Sequence, residues 1–201
     1  MKKIGLYGGT FDPIHFGHLN LALEMKEKQR LDEVWFCPAF VSPHRLDEHP
    51  LAGSHRQAMI ERAIASIPFF HVVDSELTRA GPSYTLDTLR SLSKEQGEKQ
   101  VRFFLILGED SLPGFFHWHQ PKEILKLASL LVGTRRRELN GIPPEADPDI
   151  VRAVEKGIIQ TRIMEISSTE IRLRLRNDLY CGHLVPKEVL DYIKAHHLYS
   201  T

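Results

Sequence analysis

The sequence predicts an α/β domain, an open parallel sheet covered by helices on both faces, and three observations carry that prediction. Short apolar runs alternate with longer stretches of helical periodicity along nearly the whole chain. The apolar runs are rich in β-branched and aromatic residues, as strands buried on both faces are. The length, 201 residues, suits one substantial core that needs no disulfide or structural metal. A single domain over residues 1–201 is therefore expected.

Taken in order, residues 3–7, 33–37, 69–73, 101–107 and 129–133 read as strands, and residues 16–29, 54–65 and 84–96 as the helices between them. Residues 168–176 and 186–197 carry the same helical periodicity near the end. Two stretches break the alternation. Residues 38–53 hold Pro38, Pro43 and Pro50 and read as a long loop. Residues 135–149 mix three arginines with three prolines and read as loop followed by a helix start. In an open parallel sheet, ligands bind beyond the carboxyl ends of the strands. The loops to watch are therefore those after Tyr7, Cys37, Val73, Leu107 and Gly133.

Composition excludes several classes of function. Lys plus Arg and Asp plus Glu number 26 each, which argues against a nucleic-acid polymer or an acidic membrane as partner. Cys37 and Cys181 are far apart and lack metal-ligand spacing, so a reducing compartment is the simpler expectation. No apolar run approaches the ~18 residues of a membrane span, and no signal peptide opens the chain. A soluble, cytoplasmic protein is expected. Monomer and homo-oligomer both stay open.

Chemistry concentrates after the first strand, in Gly8-Gly9-Thr10-Phe11-Asp12-Pro13-Ile14-His15-Phe16-Gly17-His18. Paired glycines let a backbone turn sharply and approach a ligand closely. A helix starting just after the turn offers unpaired N–H groups and a positive dipole end to phosphate. His15 and His18, three apart, can face the same way and donate to charge developing on a leaving pyrophosphate. A partial metal site is the competing reading, but only Asp12 is near enough to join them. Near the other end lies Ile166-Ser167-Ser168-Thr169-Glu170-Ile171-Arg172. Ser167 and Glu170 have capping-box spacing, which alone explains a helix start. That is the reading the segment favours by itself, although a hydroxyl-rich helix N-terminus with Arg172 one turn in is also a good anion cradle.

The run from Gly9 to His18 resembles the signature of the nucleotidyltransferase superfamily with the His-x-Gly-His motif, and residues 166–172 resemble its second motif, Ile-Ser-Ser-Thr-x-Ile-Arg. The resemblance implies a Rossmann-like sheet with ATP over the first helix. It implies phosphate contacts from His15, His18 and Arg172, and ATP binding by Gly8, Gly9, Thr10, Phe11, Ser168 and Thr169. The helix carrying the second motif and the C-terminal helix are expected to complete the ATP site. In the middle of the chain, Gly81-Pro82-Ser83-Tyr84-Thr85-Leu86-Asp87-Thr88-Leu89 and Gly108-Glu109-Asp110, with Trp118 downstream, resemble the bacterial nicotinate-nucleotide adenylyltransferases.

That family resemblance implies transfer of AMP from ATP, with Mg²⁺, to nicotinate mononucleotide, giving nicotinic acid adenine dinucleotide and pyrophosphate. It assigns the acceptor to Tyr84, Thr85, Asp110, Trp118, His119, His44, Arg45 and Arg135. A pyridinium ring suits the face of Trp118, although the residues without the resemblance favour a core aromatic there, and a helix cap at Asp110. Two departures stand out: Arg45 replaces the family's usual lysine, and His119 replaces a tyrosine. Phosphopantetheine adenylyltransferases resemble the chain less, since they carry Thr at the position of His15 and lack the Gly-Pro-Ser-Tyr-Thr segment. A nucleotide-binding module without catalysis is the rival of another class, and the intact His15, His18 and Arg172 set argues against it.

Overall fold

In the computed structural model of the chain, the described residues are 1–41, 50–79, 81–97, 100–134, 142–162 and 164–200. They form a six-stranded sheet in which every pairing is parallel. Its strands are β1 (Lys2–Gly9), β2 (Glu33–Pro38), β3 (Phe70–Val72), β4 (Val101–Gly108), β5 (Ala128–Thr134) and β6 (Ile158–Gln160), in the order β3-β2-β1-β4-β5-β6. The order reverses between β1 and β4, where an open α/β sheet leaves a crevice at the carboxyl ends of its strands.

The helices are α1 (Phe16–Gln29), α2 (Gly53–Ile64), α3 (Thr85–Gln96), α4 (Leu112–Phe115), α5 (Pro121–Leu127), α6 (Pro148–Gly157), α7 (Ser168–Arg176) and α8 (Lys187–Ala195). Alternation along β1 separates two cores. Tyr7 faces one, with Phe36, Leu131, Met25 of α1, Ile60 of α2, Ile171 of α7 and Val189 of α8. Ile4 and Leu6 face the other, with Leu89 of α3, Phe115 of α4, Ile124 of α5 and Val154 of α6. Strands covered on both sides must be apolar throughout, which is why each reads as a continuous hydrophobic run.

Five strands and five helices fall where the sequence puts them, with no end more than two residues away. The structure adds the three-residue edge strand β6 and the helices α4 and α5, and it makes α6 a full helix after the expected start. Short elements such as these give too few repeats for a period to show. No helix among the described residues is long and apolar enough to cross a membrane.

Candidate active site

β1 ends in Gly8 and Gly9, and the chain then turns through Phe11, which holds a left-handed backbone (φ 52°), and a cis peptide before Pro13. A bulky residue rarely adopts that conformation; packing holds it here. The Phe11 ring meets the rings of Tyr7, Phe36 and His18 at centroid distances of 5.4, 5.7 and 5.0 Å. The same ring lies over Gly9, where a Cβ would come within 3.0 Å of it. At Gly8 a Cβ would meet no protein atom within 4 Å. A side chain there would project into open space, so the protein's own packing does not require glycine at that position.

α1 then begins in an unusual way. His15 is its N-cap, and the two histidines form a reciprocal capping box. His18 N–H donates to His15 Nδ1 at 3.4 Å, and His15 N–H donates to His18 Nδ1 at 3.3 Å. The rings stack with centroids 3.6 Å apart. Gly17 makes room for this, because a Cβ there would sit 3.0 Å from His15 Nδ1. An Nδ1 that accepts a hydrogen bond is unprotonated, so each neutral ring carries its proton on Nε2. The arrangement presents two preset N–H donors. Burial brings His15 down to about 4; burial first, and then the neighbouring His15, hold His18 well below the ordinary imidazole value.

The second motif is tied to this loop across the chain. Ser168 Oγ donates to the Pro13 carbonyl at 2.9 Å, and Arg172 Nη1 donates to the Asp12 carbonyl at 2.7 Å. Arg172 Nη2 also donates to Thr169 Oγ1 at 3.2 Å. Ser167 is the N-cap of α7, accepting from the N–H of Thr169 at 3.2 Å rather than from that of Glu170. Underneath, Arg56 of α2 is 1% exposed. It donates to the carbonyls of Thr10 and Leu51, both at 2.8 Å. The Thr10, Asp12 and Pro13 carbonyls are thus each met by a side-chain donor from another part of the chain.

One cavity of about 1230 Å³ opens at the carboxyl ends of β1, β4 and β5 and collects both halves of the expected site. Gly8, Gly9, Thr10, Phe11, His15, His18, Ser168, Thr169 and Arg172 line it. So do Tyr84, Thr85, Asp110, Trp118 and His119. Trp118 is half-buried against Phe115, with ring centroids 5.3 Å apart, so it serves the core and the cavity together. His119 is exposed, and its ring lies 4.9 Å from that of Tyr84. Asp110 caps neither neighbouring helix: those N-caps are Gly108 and Ser111. Its charge instead adds to burial in raising the Tyr7 phenol. His44, Arg45 and Arg135 lie outside the described residues.

Sequence reasoning missed four members of this region: Arg56, Glu76, Tyr199 and the segment around Thr161. Glu76 is buried, and its carboxyl is raised by that burial against the pull of Thr88, Ser83 and Arg79. It accepts from Thr88 Oγ1 at 2.7 Å, while Ser83 Oγ accepts the N–H of Phe40 at 2.9 Å. This polar network ties the Ser83–Thr85 turn to the end of β2. Among the described residues no group of three His, Cys, Asp or Glu side chains is placed to hold a metal. Both oxygens of Asp12 are already engaged, by the Leu51 N–H and the Tyr199 hydroxyl.

The Cytidylyltransferase-like family model matches residues 6–174. The probable nicotinate-nucleotide adenylyltransferase of Bacillus pumilus is 37% identical over 203 residues, covering 100% of both chains. That of Salinibacter ruber is 39% identical, over 98% of this chain and 97% of its own. Among solved structures, the nicotinic acid mononucleotide adenylyltransferase of Plasmodium falciparum complexed with NaAD shares the fold, with a TM-score of 0.78 and 21% identity. The match covers 99% of this chain and 98% of that one.

Proposed function

The chain belongs to the nicotinate-nucleotide adenylyltransferase family, and from that premise we propose that it joins the AMP part of ATP to nicotinate mononucleotide by direct displacement inside the cavity above β1 and β4. The observation that carries this reading is the pair of hydrogen bonds from Ser168 and Arg172 to the Pro13 and Asp12 carbonyls. They unite two motifs some 150 residues apart beside one cavity that Tyr84, Thr85 and Trp118 also line.

The steps follow from the groups present. A 5′-phosphate oxygen of the acceptor attacks the α-phosphorus of ATP. The new O–P bond forms as the bond to the β-phosphate breaks, and that electron pair leaves on pyrophosphate. A phosphate monoester is already anionic at neutral pH, so no strong base is needed. Charge builds on the leaving oxygens, and the Nε2–H groups of His15 and His18 and the guanidinium of Arg172 supply the stabilising donors. Holding both nucleotides in one cavity supplies the alignment. Mg²⁺ would enter with ATP as part of the substrate and neutralise charge on its phosphates.

On the acceptor side, Trp118 stacks on the pyridinium ring, and the backbone N–H groups at the start of α3 and the imidazole of His119 receive the nicotinate carboxylate. Asp110 takes a ribose hydroxyl. A carboxamide cannot use donors arranged for an anion as well, so pyrophosphate release with nicotinate mononucleotide is expected to exceed that with nicotinamide mononucleotide by roughly 10²-fold in kcat/KM. Parallel assays with the two acceptors check this. Equal use of both would mean that these donors do not read the carboxylate.

A further inference from the structure

Tyr199 lies in the turn after α8, half-buried, and its hydroxyl donates to Asp12 Oδ1 at 2.5 Å. The other oxygen of that carboxylate accepts the N–H of Leu51 at 3.3 Å. Asp12 is only 6% exposed, and two guanidinium groups stand beside it. Arg56 is committed to the Thr10 and Leu51 carbonyls. Arg172 donates to the carbonyl of Asp12 itself and to the Thr169 hydroxyl. A buried carboxylate next to arginine ordinarily forms a two-pronged ion pair with it. Here both carboxylate oxygens are taken by neutral donors, and among the described residues the partners of Arg172 are neutral oxygens.

We propose that Tyr199 is a positioning residue for ATP: by holding the Asp12 carboxylate, it keeps that anion off Arg172 and leaves the guanidinium's charge to the triphosphate. The inference rests on the reading that Arg172 meets the phosphates. Arg172 sits at the backbone carbonyl of Asp12, within the sweep of that residue's own side chain. Without the hydroxyl, Oδ1 loses its donor; Arg56 is held by the Thr10 and Leu51 carbonyls, so the Arg172 guanidinium, already bonded to the carbonyl of Asp12, becomes the competing partner. An internal ion pair would then compete with ATP for the same cation. Burial, then the charge of Asp12, raises the Tyr199 phenol above its ordinary value, so the O–H stays a donor at neutral pH.

The test is calorimetric titration of MgATP, without acceptor, into the wild-type protein, Tyr199→Phe, Asp12→Asn and the double variant. Tyr199→Phe is expected to bind ATP about tenfold more weakly, the cost of one well-formed arginine–phosphate contact. In the Asp12→Asn background the same change is expected to cost less than about twofold, because an amide cannot capture the cation. In turnover assays Tyr199→Phe is expected to raise the KM for ATP and to leave kcat within about threefold of wild type. An equal loss of affinity in both backgrounds would reduce Tyr199 to a structural support and overturn the proposal, as would no loss at all. Should Tyr199→Phe fail to fold, Asp12→Asn alone decides: affinity within about threefold of wild type supports the proposal, and a loss of about tenfold or more overturns it. Wild-type protein that binds ATP but forms no dinucleotide would instead refute the transfer reaction, leaving the affinity comparison readable.

Discussion

Replacing His18 by Ala lowers kcat by about 10²- to 10³-fold, as removal of one preset donor to a charged transition state does elsewhere. The expected effect on folding is far smaller. His18 gives one capping hydrogen bond, accepted at 3.3 Å from the N–H of His15, and a lost cap costs about 1 kcal/mol, a few degrees in Tm for a chain of this size. The asymmetry follows from geometry. The Nδ1 side of the ring is used by the helix, while in the proposed mechanism the Nε2 side serves the ligand. Steady-state pyrophosphate release and a thermal melt on the same preparation check both halves. Turnover within a few-fold of wild type would remove His18 from the chemistry.

The histidine pair also makes stability fall in mild acid. His15 titrates near 6.5 when unfolded but at about 4 in the folded protein, because burial disfavours the cation. Between those values the unfolded chain binds a proton that the folded chain does not. Stability therefore holds above pH 6.5 and is lost as pH falls toward 4, by about 3 kcal/mol for His15 alone. His18, held low by burial and by His15, acts in the same direction. His15→Asn keeps a good helix cap and removes the titration. Denaturant melts from pH 4 to 8 should show the wild-type curve dropping away from that of the variant below pH 6.5. Parallel curves across that window would mean that the buried imidazole does not govern acid stability. Carboxylates titrate in both proteins and cancel in the difference.

The main frame was legible because parallel strands covered on both faces are continuous apolar runs, and α1, running from Phe16 to Gln29, starts straight after a glycine turn. β6 was not, since Ile158–Gln160 is three residues long and its last residue is exposed. The same limit applies at the site. Gly8, His15, His18 and Arg172 announce themselves by type and spacing. Arg56 does not, because an arginine in a helix reads as a solvated face until the fold buries it to 1% exposure. Tyr199 meets Asp12 across 187 positions of sequence, a distance over which no local pattern operates. Pairs of histidines are not usual capping residues either, so the reciprocal cap at α1 carries no sequence signature.

Direct transfer of AMP within one cavity is tested most directly with ATP labelled at the α-phosphate. The protein is incubated with labelled ATP, Mg²⁺ and nicotinate mononucleotide, and label is followed in nucleotide products and in precipitated protein. The expected result is label in nicotinic acid adenine dinucleotide, one pyrophosphate per dinucleotide, and none on the protein. Label retained on the protein would contradict direct displacement, and label confined to ATP, ADP or free AMP would contradict AMP transfer itself.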